Sequence, residues 1–353
     1  MKLKLKMNLL YVLRKDGKMR LFFLQILLLV SFISLTDASI SGNDCSPEFS
    51  DTAVKERNFD PTSHKPKDRI IEIRFEFVKN QIFLPVYLKG EKFYMLLDTA
   101  VSPSVIDLNV AKKLGFTLDT GNAGQSSGRG NNPVAVYPTE ITSLHLGGKR
   151  LNTKIEAVAV DLSRLSRKAG RPLHGILGYS FFNDRIIQID YTRRKVRLLQ
   201  SPIKIKPRDK CVETSEIPLE FAPNDIAPLI KIKVNERDIP VSLDTGSALT
   251  LELFPEAVKQ LKLEQFLKGA QRATIEGANG EAEVYNARLD SIGLGAFVLK
   301  EPLVTFADPR QLTGQRSGNI GNGFLQNFLL TFDYKNKKIT FQSRRRSANC
   351  RNG

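Results

Sequence analysis

The feature that most constrains this chain is a pattern that occurs twice. Residues 83–118 and residues 227–263 each contain a strand-like run, a short polar turn, a second strand-like run and then the dipeptide Asp-Thr, which begins at Asp98 and at Asp244. The two aspartates lie 146 residues apart. A repeat of this length predicts two copies of one structural unit within the chain.

A second element repeats further along each copy. Residues 174–199 and residues 318–341 each contain an apolar step that ends in glycine, followed by a strand-like run that ends in Asp-Tyr. The glycines, Gly178 and Gly321, lie 143 residues apart. Two elements that recur at nearly one period are hard to obtain by chance, so the two copies are predicted to share one fold.

Both copies alternate short apolar runs with turns rich in Gly, Asn and Lys, a pattern typical of strands joined by tight turns. The sequence therefore predicts two similar β-rich lobes. Changes in composition divide the chain into a signal peptide or N-terminal anchor at 1–38, a polar leader at 39–66, an N-terminal lobe at 67–203, a C-terminal lobe at 204–343 and a basic tail at 344–353.

The N-terminal segment has the pattern of an export signal. A basic stretch precedes the apolar run LFFLQILLLVSFISL at 21–35, and small residues follow it near Ala38. This is the order of regions in a secretory signal peptide. The run is shorter than the roughly 20 apolar residues of a full membrane span. We expect an exported protein, periplasmic or secreted, with an uncleaved membrane anchor as the alternative.

Charge and cysteine content argue against several classes of protein. The formal net charge is +16, but much of it lies at the two ends of the chain, tryptophan is absent, and no basic-aromatic pattern or nucleic-acid-binding module is present. Only three cysteines and three histidines occur, without metal-ligand spacing. We therefore expect no nucleic-acid partner, no metal and no cofactor. A bridge between Cys211 and Cys350 is one open possibility.

The repeated elements resemble a known family. The second copy reads Val-Ser-Leu-Asp-Thr-Gly-Ser at 241–247, the first reads Leu-Leu-Asp-Thr-Ala-Val at 96–101, and each is followed about 80 residues later by an apolar-Gly element, at 176–178 and 319–321. The chain resembles the aspartic proteases of the pepsin and retroviral-protease type, in particular the compact bacterial aspartyl-protease-like proteins. The resemblance implies an all-β fold of two homologous β-barrel lobes with short helices and an active site in the cleft between them.

The resemblance implies an aspartic endopeptidase in which Asp98 and Asp244 are the catalytic residues. Two adjacent carboxylates share one proton, so the ionised one can activate a water while the protonated one polarises the substrate carbonyl. Because both copies lie in one chain, we expect a monomer that acts on a peptide or protein substrate. The alternative is a catalytically silent protein of this fold that binds peptides or a partner.

The residues beside the aspartates are implied to support them. Thr99 and Thr245 would interlock beneath the pair, and Gly246 would let the backbone approach a carboxylate, whereas Ala100 carries a methyl group at the matching position. That methyl strains the backbone by about 1 kcal/mol if φ is positive and is harmless if the backbone is extended. We expect the Ser247 hydroxyl to donate a hydrogen bond to Asp244.

Val101, at the position that matches Ser247, cannot donate such a bond to Asp98. Losing a donor raises the pKa of a carboxylate, so the pair is predicted to stay protonated to higher pH than one with both donors. Flap-like hairpins are predicted at 121–132 and 276–280, with Tyr137 and Tyr285 following them. For both tyrosines, a flap role and ordinary strand packing remain open.

Overall fold

A computed structural model describes residues 70–128, 134–151, 154–201, 212–221, 227–277, 280–308 and 316–346. It also describes the backbone of four short strands near the N-terminus: β1 (Leu10–Leu13), β2 (Met19–Phe22), β3 (Leu27–Leu28) and β4 (Phe32–Ser34). Within these ranges no helix is both long and apolar enough to cross a membrane. The polar leader and all three cysteines lie outside the described residues, and so does the Cys211–Cys350 pairing.

The first lobe is built from short strands and three short helices. In chain order these are β5 (Ile71–Arg74), β6 (Glu76–Val78), β7 (Gln81–Leu88), β8 (Glu91–Leu97), β9 (Ser104–Asp107), α1 (Leu108–Lys113), β10 (Gly124–Gln125), β11 (Ser127–Gly128), β12 (Ala135–Ile141), β13 (Leu144–Leu146), β14 (Lys149–Arg150), β15 (Ile155–Val160), α2 (Ser163–Ala169), β16 (Gly175–Leu177), α3 (Tyr179–Phe182), β17 (Ile186–Asp190) and β18 (Lys195–Leu199).

The second lobe repeats most of this order. Its elements are β19 (Val212–Pro218), β20 (Leu229–Val234), β21 (Arg237–Asp244), β22 (Leu251–Leu253), α4 (Pro255–Leu261), α5 (Glu264–Leu267), β23 (Gln271–Gly277), β24 (Gly280–Arg288), β25 (Ser291–Leu294), β26 (Phe297–Lys300), β27 (Leu303–Ala307), β28 (Gly318–Gly321), α6 (Asn322–Leu325), β29 (Phe328–Asp333) and β30 (Lys338–Arg346).

The hairpin that leads to each aspartate has the same turn in both lobes. The two central residues have positive φ, Lys89 and Gly90 between β7 and β8 and Asn235 and Glu236 between β20 and β21. A two-residue turn with this backbone matches the twist of the paired strands. Each hairpin thereby fixes which residues of the second strand face the lobe core, and so where its aspartate emerges.

Each lobe has one large sheet with a common central arrangement. In the first lobe β16 runs parallel to β8 and antiparallel to β9; in the second, β28 runs parallel to β21 and antiparallel to β22. The expectation of two homologous β lobes is confirmed. Closure into barrels is not found: in the described residues each large sheet ends on unpaired outer strands, β10 and β14 in one, β26 and β4 in the other.

A third sheet joins the lobes. Its strand order is β19-β30-β29-β17-β18-β5, so each lobe supplies three of the six strands. At its centre β17 and β29 pair antiparallel, and Gln188 lies opposite Thr331 with a side-chain hydrogen bond of 3.2 Å. These two residues are counterparts in the repeat. The local two-fold axis that relates the lobes therefore passes through this pair.

The apolar core follows the strand alternation. Leu84, Val86 and Leu88 of β7 are fully buried, as are Ile230, Ile232 and Val234 of β20, and they belong to one continuous core that extends through both lobes. Burying a side chain of this size stabilises the folded state by about 1.5–3 kcal/mol. The two lobes are thus packed as one body, which holds the aspartate-bearing loops in a fixed relation.

Candidate active site

The two Asp-Thr loops meet at the boundary between the lobes. Asp98 follows β8, Asp244 ends β21, and both side chains are completely buried. The backbone N–H of Thr99 donates to the hydroxyl of Thr245 at 3.1 Å, and the N–H of Thr245 donates to the hydroxyl of Thr99, also at 3.1 Å. The loops are therefore bound to each other by reciprocal bonds.

The threonine hydroxyls tie each loop to the opposite strand. The Thr99 hydroxyl donates to the carbonyl of Leu243 at 2.6 Å, and the Thr245 hydroxyl donates to the carbonyl of Leu97 at 2.9 Å. Each threonine thus uses its side chain as both donor and acceptor across the lobe boundary. Four fully buried bonds make the relative position of the aspartates insensitive to movement elsewhere in the lobes.

One oxygen of each carboxylate is held by backbone donors. Oδ1 of Asp98 accepts from the N–H of Ala100 at 2.8 Å, and Oδ1 of Asp244 accepts from the N–H groups of Gly246 and Ser247, both at 3.0 Å. The other oxygen, Oδ2, has no hydrogen-bond partner among the described residues in either carboxylate, although both are buried. A buried oxygen without a donor is costly, and each Oδ2 is thus available to a water or a bound group.

The carboxylate of Asp98 lies directly against the opposite loop. A methyl group built on Gly246 would lie 2.0 Å from Oδ2 of Asp98, far inside contact distance. Glycine is required there for space, since Gly246 is not among the residues with positive φ. Ala100 is also absent from the positive-φ residues. The Ala100 methyl therefore does not strain the backbone.

The Ser247 hydroxyl does not point as the sequence suggested. Its oxygen accepts a hydrogen bond from the N–H of Leu249 at 3.3 Å, and it is the backbone N–H of Ser247 that donates to Asp244. On the other side the backbone N–H of Val101 lowers the pKa of Asp98. The donors at this position come from the backbone in both lobes, so the serine-to-valine difference has less effect on the pair than the side chains imply.

Burial dominates the electrostatics of the pair. It raises the pKa of Asp98 from 3.8 to about 6, against the lowering effect of the Ala100 N–H and of the Arg316 guanidinium. It raises the pKa of Asp244 well above its usual range, and the negative charge of Asp98 raises it further. Because each carboxylate opposes ionisation of the other, the pair retains one proton through mildly acidic pH.

Two further residues position the loops and were not predicted. The Gln81 side chain, completely buried, donates to the carbonyl of Gly246 at 2.6 Å. The Asn322 amide donates to the carbonyl of Thr245 at 2.7 Å and accepts from the Tyr191 hydroxyl at 2.6 Å. Both cross the lobe boundary. In the sequence, each of these two is a polar residue next to an apolar repeat element. Ordinary turns contain such residues too, so this pattern did not predict their role.

The two predicted flap regions lie in edge hairpins, β10–β12 in the first lobe and β23–β24 in the second. Residues 129–133 and 278–279, within the predicted tips, lie outside the described residues. Tyr137 belongs to β12 and packs against the core, and Tyr285 belongs to β24 with its hydroxyl donating to Glu283 at 2.6 Å. Both tyrosines therefore have strand-packing roles in this conformation.

The second-lobe hairpin is bound to the first lobe by charges. Glu276 on β23 is buried, and it pairs with Arg164 and with Lys168 (3.4 Å), both on α2. The outer edge of β23 also pairs antiparallel with β4, and β3 pairs parallel with β11. Segments of the predicted export signal thus pair with one strand of each lobe, β11 in the first and β23 in the second.

Two homologous β lobes that bring a pair of buried aspartates together through interlocked Asp-Thr loops define a two-lobed protein of the aspartic-protease type. A family model described as aspartyl protease matches residues 84–181 and 230–324, one region in each lobe. The chain belongs to the aspartyl protease family.

The solved structures that match this chain include basic 7S globulin from soybean. That match has 10% sequence identity and a TM-score of 0.43, and it covers 79% of this chain and 95% of the globulin chain. Comparison with curated protein sequences gives no match.

Proposed function

We propose that this protein is an aspartic endopeptidase that hydrolyses peptide bonds with a water activated by Asp98 and Asp244. The observation that carries the proposal is the pair of buried carboxylates, each held through Oδ1 by backbone donors and each with an Oδ2 that has no partner in the described residues. Membership of the aspartyl protease family supports the same reaction class.

The mechanism follows from one shared proton. The ionised carboxylate takes a proton from a water as the water oxygen bonds to the carbonyl carbon of the substrate. The protonated carboxyl polarises the carbonyl oxygen and donates its proton to it. The C–N bond then breaks, the nitrogen leaves with a proton from the pair, and the products are a carboxyl group and an amine. No metal or cofactor is needed for this sequence.

An extended substrate is supported by the hairpin edges. The backbone of β4 adds to the outer edge of β23 as an antiparallel strand, so this edge accepts an extended segment by main-chain bonds. We propose that a peptide takes a similar place once the N-terminal segment is removed during export. We also propose that the protein acts as a monomer, because one chain supplies both aspartates.

One observation favours a second candidate, a catalytically silent peptide-binding protein. A methyl group at Gly246 would collide with the Asp98 carboxylate, and Ala100 carries such a methyl at the matching position of the other loop. If that methyl displaces Asp244 from the geometry that the reaction needs, the cleft would bind a peptide without cleaving it.

The test is hydrolysis by matched variants. The full chain and residues 39–353 would be assayed with casein and a peptide library from acidic to neutral pH, beside Asp98→Asn and Asp244→Asn. Asp290→Asn serves as a control, because Asp290 is exposed on a turn of the second lobe. Cleavage lost in the two dyad variants and kept in the control supports the endopeptidase. Identical behaviour of all four proteins, including no cleavage by any of them, would exclude it.

A further inference from the structure

The sheet face that carries the catalytic aspartates differs between the lobes. Side chains alternate along a strand, so Leu96 lies on the face of Asp98 and Ser242 lies on the face of Asp244. On β16, Ile176 is directly beside Leu96, and on β28, Asn319 is directly beside Ser242. At these positions this face is therefore apolar in the first lobe and polar in the second.

The difference extends over neighbouring strands. The registers of the two sheets identify four pairs of counterparts, and the 143-residue offset of the repeat adds a fifth, Leu173 and Arg316. The first-lobe members form what we call the first-lobe apolar cluster: Leu96, Val105, Val158, Leu173 and Ile176. Their counterparts form what we call the second-lobe polar cluster: Ser242, Glu252, Thr305, Arg316 and Asn319. Every member of both clusters is buried.

The second-lobe polar cluster offers several kinds of hydrogen-bonding group. The Ser242 hydroxyl donates to the side-chain oxygen of Asn319, and the Thr305 hydroxyl donates to the side-chain oxygen of Asn286 at 2.8 Å. Glu252 contributes one formal negative charge and Arg316 one formal positive charge. The cluster is therefore polar but balanced in charge, a combination that favours a neutral hydrogen-bonding ligand over an ionic one.

The cluster is also electrically close to the dyad. The negative charge of Glu252 raises the pKa of Asp244, whereas the positive charge of Arg316 lowers the pKa of both aspartates. The dyad and the cluster are buried to a similar degree. Because Asp244 and Ser242 lie on the same sheet face, a peptide side chain bound beside the dyad would lie next to the cluster.

The fold itself does not require these polar groups. The first lobe builds the same strands, in the same register, with five apolar side chains. Burying a carboxylate and a guanidinium costs free energy that valine and leucine at the same positions avoid. The polar residues are therefore better explained by what this face contacts when the cleft is occupied than by the stability of the second lobe.

We propose that the second-lobe polar cluster is a specificity determinant. It accepts a neutral, hydrogen-bonding side chain of the substrate, such as an amide or a hydroxyl, while the first-lobe apolar cluster accepts an apolar side chain. The protein then selects a peptide with unlike residues on the two sides of the scissile bond. The cleavage test of this inference rests on the proposed endopeptidase function. The peptide-binding test does not depend on that function.

The first arm of the experiment is a cleavage profile. The protein, expressed as the full chain, is incubated with a peptide pool, and the cut sites are identified by mass spectrometry. We expect pairs with one apolar and one neutral polar residue to be cut at least about tenfold faster than pairs with two apolar residues, because a neutral polar side chain can hydrogen-bond to groups of the cluster and an apolar one cannot. Equal rates for the two kinds of pair would overturn the proposal.

The second arm changes the cluster. A variant with Ser242→Leu, Glu252→Val and Asn319→Ile copies the first lobe at three of the five positions and should shift the preference toward apolar residues on both sides. The single change Asn319→Ile should relax the preference in part and serves if the triple variant does not fold. Ile176→Asn in the first lobe is the matched control and should relax the apolar preference instead. A folded variant with an unchanged profile would count against the cluster.

The third arm separates this inference from the proposed function. Immobilised Asp98→Asn protein retains peptides from the same pool, and the retained sequences are compared with the input. If nothing is cleaved but the retained peptides are enriched in amide or hydroxyl residues beside an apolar one, the endopeptidase fails and the specificity site stands. Cleavage or retention without that enrichment overturns the specificity site.

Discussion

In the first lobe, the strand leading to Asp98 carries Leu96 on the aspartate's own face; in the second lobe the same position before Asp244 is Ser242. A few residues further, the loops are nearly alike: Thr99 and Thr245 make matching bonds, and Oδ1 of each aspartate accepts from the backbone two residues on. The comparison teaches that the two lobes share the loops that hold the carboxylates and differ in the sheet face around them.

The largest expected effect tests whether the two aspartates share one role. Asp98→Asn and Asp244→Asn should each lower kcat/KM by about 10³-fold or more, because each removes one half of a proton-sharing pair. Peptide hydrolysis under single-turnover conditions measures the loss. Unequal losses, with one variant close to wild type, would show that the lobes do not contribute equally.

The next prediction concerns space in the two loops. Gly246→Ala should lower kcat by about 10²-fold, since the new methyl would lie 2.0 Å from Oδ2 of Asp98 and must displace it. Ala100→Gly in the other loop should leave kcat near the wild-type value, because Ala100 does not have positive φ. Circular dichroism confirms folding of both variants. A large gain with Ala100→Gly would instead mean that the Ala100 methyl restrains the native enzyme.

The raised pKa of Asp98 predicts a stability effect of smaller size. Its carboxyl titrates near 3.8 when unfolded and near 6 when folded. As pH rises between these values the unfolded state releases the proton more readily, so the wild type loses about 3 kcal/mol of unfolding free energy. Asp98→Asn carries no titrating group there, so it should be more stable than wild type at neutral pH.

Urea unfolding at several pH values checks this. The curves of Asp98→Asn and wild type should approach each other below about pH 4, where the carboxyl is protonated in both states. A difference that is independent of pH would mean that the substitution acts through packing rather than through ionisation.

The smallest effect concerns Arg316, which stands where the first lobe has Leu173. Its positive charge lowers the pKa of Asp98 and of Asp244. Arg316→Leu should therefore raise both pKa values and shift the alkaline limb of the pH–rate profile upward by up to about one unit. Arg288→Leu, at an exposed site away from the dyad, is the control. A shift to lower pH would contradict the assigned sign.

The sequence alone predicted the duplication, the two β lobes and the loops that carry the aspartates, because all three leave a repeated local pattern. It did not predict the sheet shared by the lobes, since strand pairing between distant segments has no local signature. The closed barrels that the resemblance implied are also not found in the strand pairing of the described residues. Whether the site residues act as proposed remains a prediction that the variants above test.

The second-lobe polar cluster shows where sequence reasoning stops. Asn319 is a polar residue in a repeat element that is otherwise apolar, so the printed sequence already shows it. Glu252 and Arg316 were not, because most glutamates and arginines are exposed and nothing local distinguishes a buried one. The Ser247 hydroxyl was expected to donate to Asp244, but its backbone N–H occupies that role and the hydroxyl oxygen accepts from Leu249. Which group donates to a carboxylate depends on the strand register and on the other donors nearby.

The shared six-stranded sheet has a consequence for unfolding. At its centre Gln188 pairs with its own counterpart, Thr331, so the contact is self-complementary in the way that a symmetric homodimer interface is. Separating the lobes would break the β17–β29 ladder and expose the pairing edges of both strands. The two lobes should therefore unfold in one cooperative transition, and a chain cut in the linker at 202–211 should stay associated.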